Sequence, residues 1–441
     1  LPDVAYAEHN LYTCSQDTQE HIRDVVQRHS LNRVVVASCT PRTHEPLFQE
    51  TIRGVGLNPH LFQMANIREQ VSWVHRDDHA DATAKAKDLV RMAVARAQAL
   101  RPIEHRTFEV VHHTLVIGGG LAGMTAALSI ADQGYGVTLV EREAQLGGNL
   151  RHIYTALPER AETARRAVSG DTDAADPQAL LAATIEALAS NPRISVRTGT
   201  EVVEVDGYVG QFRSRIRRAD GQQEEVEHGV VILATGAREV TPHEYLYGER
   251  AGVVTQRELE RRLTEWARSP DAAQAALPRR VVMIQCVGSR DEAHPYCSRV
   301  CCTEAIKNAL ALKALDPACE VTTLYRDVRS FGFKERAYEQ ARRAGVVFLQ
   351  YDAAQKPVVS ASGGPLAVDV AVQPENEVFH LEADLVVLSA GIAPNADAEA
   401  MAQRLKVPLN EDGFFLEAHV KLRPLEFAAD GFDTFGGHAA G

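Results

Sequence analysis

The sequence contains no apolar run approaching the roughly 20 residues that a membrane-spanning helix requires. Its first ten residues, LPDVAYAEHN, carry neither the basic nor the apolar segment of a secretion signal. Positive charge is in deficit: 47 Lys and Arg stand against 59 Asp and Glu, a formal net charge of −12. Nucleic acid and anionic membrane surfaces would both repel such a chain, so neither is an expected partner. The 17 histidines show no HExxH or HxH spacing. No solenoid-period repeat and no low-complexity tract is present. Cysteine is sparse, seven in 441 residues, and never in a CxxC pair. Yet four of the seven fall within CVGSRDEAHPYCSRVCC, residues 286 to 302. With no secretion signal the expected compartment is the reducing cytoplasm, where clustered cysteines serve as metal ligands or redox groups more often than as structural disulfides.

The length exceeds what one hydrophobic core accommodates, so two or three domains are expected. Residues 1–105 read as a small α/β unit: NRVVVASC (32–39) is a strand, with helical patterns around 17–29 and 44–54. The Ala-rich amphipathic stretch 78–100 predicts a long helix linking this unit to the next. HTLVIGGGLAGMTAALSIADQGYGVTLVERE (113–143) reads as strand, glycine turn, helix, strand. Residues 157–178 are polar and aperiodic, a surface excursion. Strands follow at 194–207 and 229–237, and a second strand–turn–helix–strand spans 279–327. ADLVVLSAG (383–391) returns to the style of the first such unit. The expected plan is an α/β, two-dinucleotide-domain flavoprotein (thioredoxin/glutathione reductase-like) with a small N-terminal α/β domain. One dinucleotide domain comprises 112–240 plus 381–441 and the other 241–380.

Gly118, Gly120 and Gly123 form a GxGxxG fingerprint between the strand TLVI and the helix MTAALSIA. Glu141 ends the next strand, where a carboxylate takes ribose hydroxyls. The glycines let the backbone approach a pyrophosphate resting on the helix N-terminus. AQLGGNL (144–150, with Gly148 and Asn149) adds a glycine-rich loop, and Ala234, Thr235 and Gly236 close a later strand. That ATG strand and the late FAADGFDTFGG segment, with Gly436, match how two-domain flavoproteins wrap FAD, which is favoured over a nicotinamide at this site.

The second strand–helix unit carries no fingerprint. After VVMIQ only Gly288 is present, and the cysteine stretch stands where a nicotinamide-binding turn would be. Cys301 and Cys302 are adjacent and do not readily pair with each other. Cys286, Cys297, Cys301 and Cys302 suit an iron–sulfur cluster, which a flavin in the same chain could exchange electrons with. Structural zinc usually takes paired CxxC knuckles. Unligated thiols or reversible disulfide chemistry is the third reading.

The segments IQCVGSRD…YCSRVCCTEAIKNALALK, NLYTCSQDTQEHI, CTPRTHEPLFQET, MANIREQVSWVH and EVVEVDGYVGQF resemble the A-type subunit of CoB–CoM heterodisulfide reductase and its bacterial relatives, over essentially the whole chain. The resemblance implies a non-covalent FAD, whose contacts would add Arg142, Val202 and His438 to the glycines and to Glu141. It implies a 4Fe–4S cluster on the four clustered cysteines and places Lys307 beside the flavin N5 edge. It also implies cytoplasmic complexes, homodimeric in this polypeptide, with B and C type subunits and with a hydrogenase, formate dehydrogenase or other electron-input module. Ferredoxin is a further implied partner, since in such complexes the flavin can bifurcate electrons between ferredoxin and a disulfide. Family members usually start upstream of LPDVAYAEHN and often continue past GGHAAG into ferredoxin modules. The chain is therefore expected to be a fragment, or a short form relying on partners for further clusters.

Against this reading stand a self-contained NAD(P)H-dependent disulfide reductase, with Cys301 and Cys302 as its redox pair, and a scaffold whose cofactors are structural. Periodicity alone makes Lys307 a solvated lysine, though Ala305, Ile306, Ala309 and Leu310 surround it with apolar neighbours. His438 can equally be a solvent-facing loop residue. Cys14 and Cys39 are expected as buried thiols and Cys319 as a core residue. Phe331 and Phe333 in RSFGFKE are aromatic enough for a partner surface but more simply anchor their loop.

Overall fold

The computed structural model describes residues 1–104, 107–157, 176–268, 277–361, 364–427 and the backbone of 432–434. The chain divides into two units, Leu1–Phe108 and Glu109–Gly441. Among the described residues no helix is long and apolar enough to cross a membrane.

In the first unit the β-branched run Val34–Ser38 pairs in parallel with Phe62–Asn66, Val36 opposite Met64. The helices Gln16–Arg28 and Pro41–Arg53 lie close to the expected spans, and Phe48 and Ile52 of the second seal a core with Val36, Phe62 and Met64. The Ala-rich helix His79–Ala99 starts on Asp78, whose carboxylate accepts from the Ala80 and Asp81 N–H groups. It returns to the same unit: Arg33 Nε donates to the Ala97 carbonyl at 2.8 Å. Cys14 corrects an expectation. It is exposed in the turn ahead of the first helix, and Cys39 is half-buried, so the two are not a pair of core thiols.

The second unit holds two five-stranded parallel sheets. The first runs in the order 432–434, Val230–Leu233, His113–Ile117, Gly136–Val140, Ile194–Arg197. The second runs Val253–Thr255, Leu385–Ala390, Arg280–Val287, Glu320–Tyr325, Val347–Gln350. Strands of this kind are covered on both faces, which is why VVMI and LVVLSA read as unbroken apolar runs. Two three-stranded antiparallel sheets accompany them, at 200–228 and 358–383. In the first, Gln211–Arg218 alternates buried and exposed residues, as a strand with one solvated face must.

Leu385–Ala390 corrects a second expectation, because it joins the second sheet rather than the first. A strand buried on both faces has no polar side to say which sheet it belongs to. The flanking Asp384 decides: its carboxylate accepts from the Arg279 and Arg280 N–H groups at 3.0 and 2.9 Å, locking the strand beside Arg280–Val287.

His228 ends its antiparallel sheet fully buried, its ring stacked on Phe212 and its Nε2 2.8 Å from the Ser214 hydroxyl. Burial holds its pKa down to about 4. An ordinary unfolded histidine titrates near 6.5, so the neutral ring contributes stability that is complete above that pH and lost as pH falls toward 4. The loss approaches about 3 kcal/mol per chain at 1.36 kcal/mol per pH unit. Urea midpoints measured from pH 7 to pH 4.5 should fall for the wild type and fall less steeply for His228→Gln.

Candidate functional site

The glycine turn lies where the first sheet's central strand ends, residues 118–120 bridging Ile117 to the helix Leu121–Asp132. Its glycines play two parts. Gly118 sits at φ +111°, and a Cβ there would lie 2.2 Å from the Ala234 carbonyl oxygen; one on Gly123 would lie 1.9 Å from the Gly118 oxygen. Those two allow strand, turn and helix to close. Around Gly120 a Cβ would meet nothing within 4 Å. That open face lies at the start of a helix whose first N–H groups have no side-chain cap, a cradle for a dinucleotide pyrophosphate.

Glu141 is buried against the turn, its Oε2 accepting from the Gly119 N–H at 2.6 Å and its Oε1 from the Glu143 N–H at 2.8 Å. Each oxygen keeps a second lone pair for a ligand hydroxyl. The Gly147 N–H donates to the Gly119 carbonyl at 2.8 Å, which brings Gly148 and Asn149 to the cradle. Asn149 Nδ2 donates to the Ala237 carbonyl at 3.1 Å, joining the loop to the Ala234–Gly236 turn. Sequence reasoning missed Asn395, which ties the same turn from beyond, its Nδ2 donating to the Thr235 carbonyl at 2.8 Å and its Oδ1 facing Arg142 at 3.4 Å. Val202 contributes its side chain to the core, and its carbonyl accepts from Arg404 at 2.6 Å. Gly436 and His438 lie outside the described residues.

The second sheet ends differently. Residues 288–300 intervene before the helix Cys301–Leu315, where three residues sufficed in the first. A bulge between Ile284 and Val287 turns Cys286 into left-handed backbone at φ 62°, and Arg290 and Arg299 adopt φ 58° and 64°. Three non-glycine residues in that region between positions 286 and 299 mark strain of the kind that gathers at functional sites. Cys301 and Cys302 open the helix, donating from sulfur to the Ala390 carbonyl at 3.4 Å and the Asp327 carbonyl at 3.8 Å. No cysteine of the chain is in a disulfide.

Burial pushes the Cys286, Cys301 and Cys302 thiols up, and negative charge on the neighbouring cysteines pushes in the same direction. Arg290 and Arg326 oppose this at Cys286, and the Arg329 N–H opposes it at Cys302. Among the described residues no group of three or more His, Cys, Asp or Glu is drawn around a point that could hold a metal ion. What the structure provides is four thiols near the end of one strand and the start of the next helix. Guanidinium groups flank them and two open a helix N-terminus, an end that favours anions, but burial outweighs both and raises Cys286, Cys301 and Cys302. Beside them the Gln285 amide and the Thr303 hydroxyl are buried without hydrogen-bond partners, polar groups of the kind a bound group would satisfy.

Lys307 lies one turn further along and is not solvated. It is 9% exposed and ion-paired with Glu260, whose carboxylate is buried. Its Nζ also donates to the Thr155 carbonyl at 3.1 Å, and Glu260 Oε2 accepts from the Tyr154 N–H at 2.9 Å. Burial, reinforced by Glu260, pushes the Glu304 carboxyl up to about 7. Glu260 does not stand out in the sequence, although a lysine among apolar neighbours requires a buried anion. Phe331 and Phe333 correct a third expectation: they are 69% and 78% exposed and do not anchor their loop in the core. Cys319 is a core residue at 1% exposure.

A family model described as pyridine nucleotide-disulphide oxidoreductase matches residues 112–284. The second A-type iron-sulfur subunit of CoB–CoM heterodisulfide reductase from Methanopyrus kandleri is 35% identical, over 98% of this chain and 76% of that protein. The A-type subunit of the H2:CoB–CoM heterodisulfide,ferredoxin reductase of Methanothermobacter marburgensis is 33% identical, again over 98% of this chain and 76% of that one. Among solved structures, Lactococcus lactis thioredoxin reductase is similar over 74% of this chain and 89% of its own, at 17% identity and a TM-score of 0.48. The glycine cradle and family match support FAD at the first sheet, on a two-dinucleotide-domain flavoprotein fold. With one glycine turn intact, the other replaced by cysteines, and relatives this similar along the whole chain, the protein belongs to the family of A-type subunits of CoB–CoM heterodisulfide reductase, which are oxidoreductases.

Proposed function

We propose that the chain is the FAD- and 4Fe–4S-carrying electron-transfer subunit of a heterodisulfide-reductase-like complex. One observation carries this reading: where a nicotinamide pyrophosphate turn would stand, the chain has Cys286 near the end of the strand, Cys297 in the loop, and Cys301 and Cys302 at the start of the helix. When bound, the two groups supply electron exchange, the flavin singly or in pairs and the cluster singly. The protein's own residues bind, orient and tune. Gly118, Gly120 and Gly123 would hold the FAD pyrophosphate, Glu141 a ribose, and Asn149 with Ala234–Gly236 the approach to the ring. The four cysteines would ligate the cluster. Lys307 would place a positive charge beside the flavin, where it favours the electron-rich reduced form, while Glu260 fixes its position and partly cancels its field.

Relatives are named for hydrogen, formate and ferredoxin linkage. By that analogy the partners here are B and C type subunits, a hydrogenase or formate dehydrogenase input module, and ferredoxin, with electron bifurcation at the flavin. A chain whose seven cysteines are all thiols suits the reducing cytoplasm.

Anaerobically purified protein should contain about four iron and four sulfide per chain, as a cubane held by four thiolates does. Cys302→Ser should lose most of both while retaining its FAD. Undiminished iron in that variant, or stoichiometric zinc in the wild type, would defeat the assignment.

Lys307 and Glu260 make a paired test. A full charge at about 4 Å and an effective dielectric near 20 contributes at most about 4 kcal/mol. With Glu260 cancelling part of it, Lys307→Ala should lower the flavin midpoint by tens of millivolts, about 59 mV being tenfold in a one-electron equilibrium. Glu260→Gln should raise the midpoint. It should also cost roughly 3–5 kcal/mol of stability, because a buried lysine loses its counter-charge. Redox titration and urea denaturation check both; midpoints moving together, or not at all, would remove Lys307 from the flavin.

A further inference from the structure

Exposed phenylalanines on a loop beside a redox motif require an account. The segment Asp327–Arg329 packs on the cysteines: the Asp327 carbonyl accepts from Cys302 Sγ at 3.8 Å and the Arg329 N–H bonds to the same sulfur. Two residues on, the chain emerges at Phe331, makes a single 3-10 turn at Gly332–Lys334, and presents Phe333. This loop is preorganised. The Ser330 hydroxyl, itself buried, donates to Glu335 at 2.5 Å, and the Arg336 guanidinium lies 5.6 Å from the Phe333 ring centroid. Val300, between the cysteines, is a third apolar side chain open to solvent at 37%.

The charge around this apolar spot opposes that of the chain. Lys334 and Arg336 are exposed on the loop and the helix that follows it, and Arg299 is exposed next to Val300. Of the acids on this segment, Asp327 is paired with Arg290 and Arg329, and Glu335, held by the Ser330 hydroxyl, keeps its charge but is outnumbered by the three cations. On a chain of net charge −12 an acidic protein is repelled over much of the surface and attracted here. Phenylalanine and arginine are also what protein interfaces select, and electron-transfer encounters are small.

We propose that the Phe331–Phe333 loop and its rim of Arg299, Lys334 and Arg336 form the docking surface for an acidic one-electron carrier protein, seated directly over the clustered cysteines. The proposal rests on the electron-transfer reading of those cysteines. It adds where the carrier binds and which residues recognise it.

Binding rather than turnover tests it, so that the surface and the cofactor reading are judged separately. The full chain is titrated calorimetrically with an acidic two-cluster ferredoxin as probe, at low and high salt, with iron and flavin assayed on the same samples. The wild type should bind at low salt and weaken by about tenfold or more at high salt, as screened charges do. The Phe331→Ser/Phe333→Ser double variant should weaken binding about tenfold or more, as loss of a central aromatic anchor does. Arg299→Glu/Lys334→Glu/Arg336→Glu should abolish it. Circular dichroism should match the wild type, since all five side chains are exposed. No binding by the wild type, or equal affinity in all three proteins, overturns the proposal. So does a sedimentation result in which the phenylalanine variant loses a dimer and keeps its affinity for the probe, because the face then serves a second copy. Salt-sensitive, phenylalanine-dependent binding by a chain without iron would uphold the surface and sink the cluster.

Discussion

At the start of the helix Cys301–Leu315 the first backbone N–H groups have no intrahelical partner, and no side chain caps them. The same holds for Leu121–Asp132 in the first sheet. Each of these helix starts lies at the carboxyl end of a parallel strand, where the fold leaves a crevice. What completes each end determines the chemistry of that half. In the first the turn is short and glycine-built, open over Gly120 and ready for a phosphate. In the second it is long, strained at Cys286, Arg290 and Arg299, and filled with sulfur. One topology, used twice, thus becomes two unlike sites.

The Lys307–Glu260 pair shows how the second half is bound to the first. Glu260 lies on the helix Gln256–Arg268 and Lys307 on Cys301–Leu315, while their remaining bonds reach Tyr154 and Thr155 beyond the first sheet's glycine loop. Two buried charges are costly unless each finds the other and further hydrogen bonds as well. Both conditions are met here, with Glu304 alongside, its carboxyl pushed up toward neutrality. Such an arrangement is weak evidence for stability, because the cost of desolvating both charges offsets much of their attraction. It joins the cysteine helix to the segment that follows the glycine loop, through Tyr154 and Thr155.

Much of the fold and of the candidate site is legible in the sequence. The GxGxxG spacing, the ATG turn and the absence of a second fingerprint are local patterns, and local patterns translate directly into strand–turn–helix geometry. The departures share a different origin. Cys14 reads as a buried thiol and the two phenylalanines as anchors of their loop because apolar side chains usually turn inward, but exposure depends on what packs above a loop. Strand Leu385–Ala390 reads as part of the first sheet because a run buried on both faces pairs equally well with either. Asn395 and Glu260 carry no signal at all, since each acquires its meaning from a partner far away in sequence.

Residue type and spacing within single elements are enough to set the kind of chemistry. They place a dinucleotide cradle at Gly118–Gly123, thiols where a second cradle would be, and a lysine in need of an anion. They leave open which anion, which sheet, and which aromatic side chains face water. Those are settled in three dimensions: Asp384 selects the sheet, Glu260 answers Lys307, and the fold of Asp327–Glu335 leaves Phe331 and Phe333 open to solvent. Each of those outcomes depends on a contact between segments distant in the chain, and burial and charge pairing are settled by such contacts rather than by neighbours in sequence.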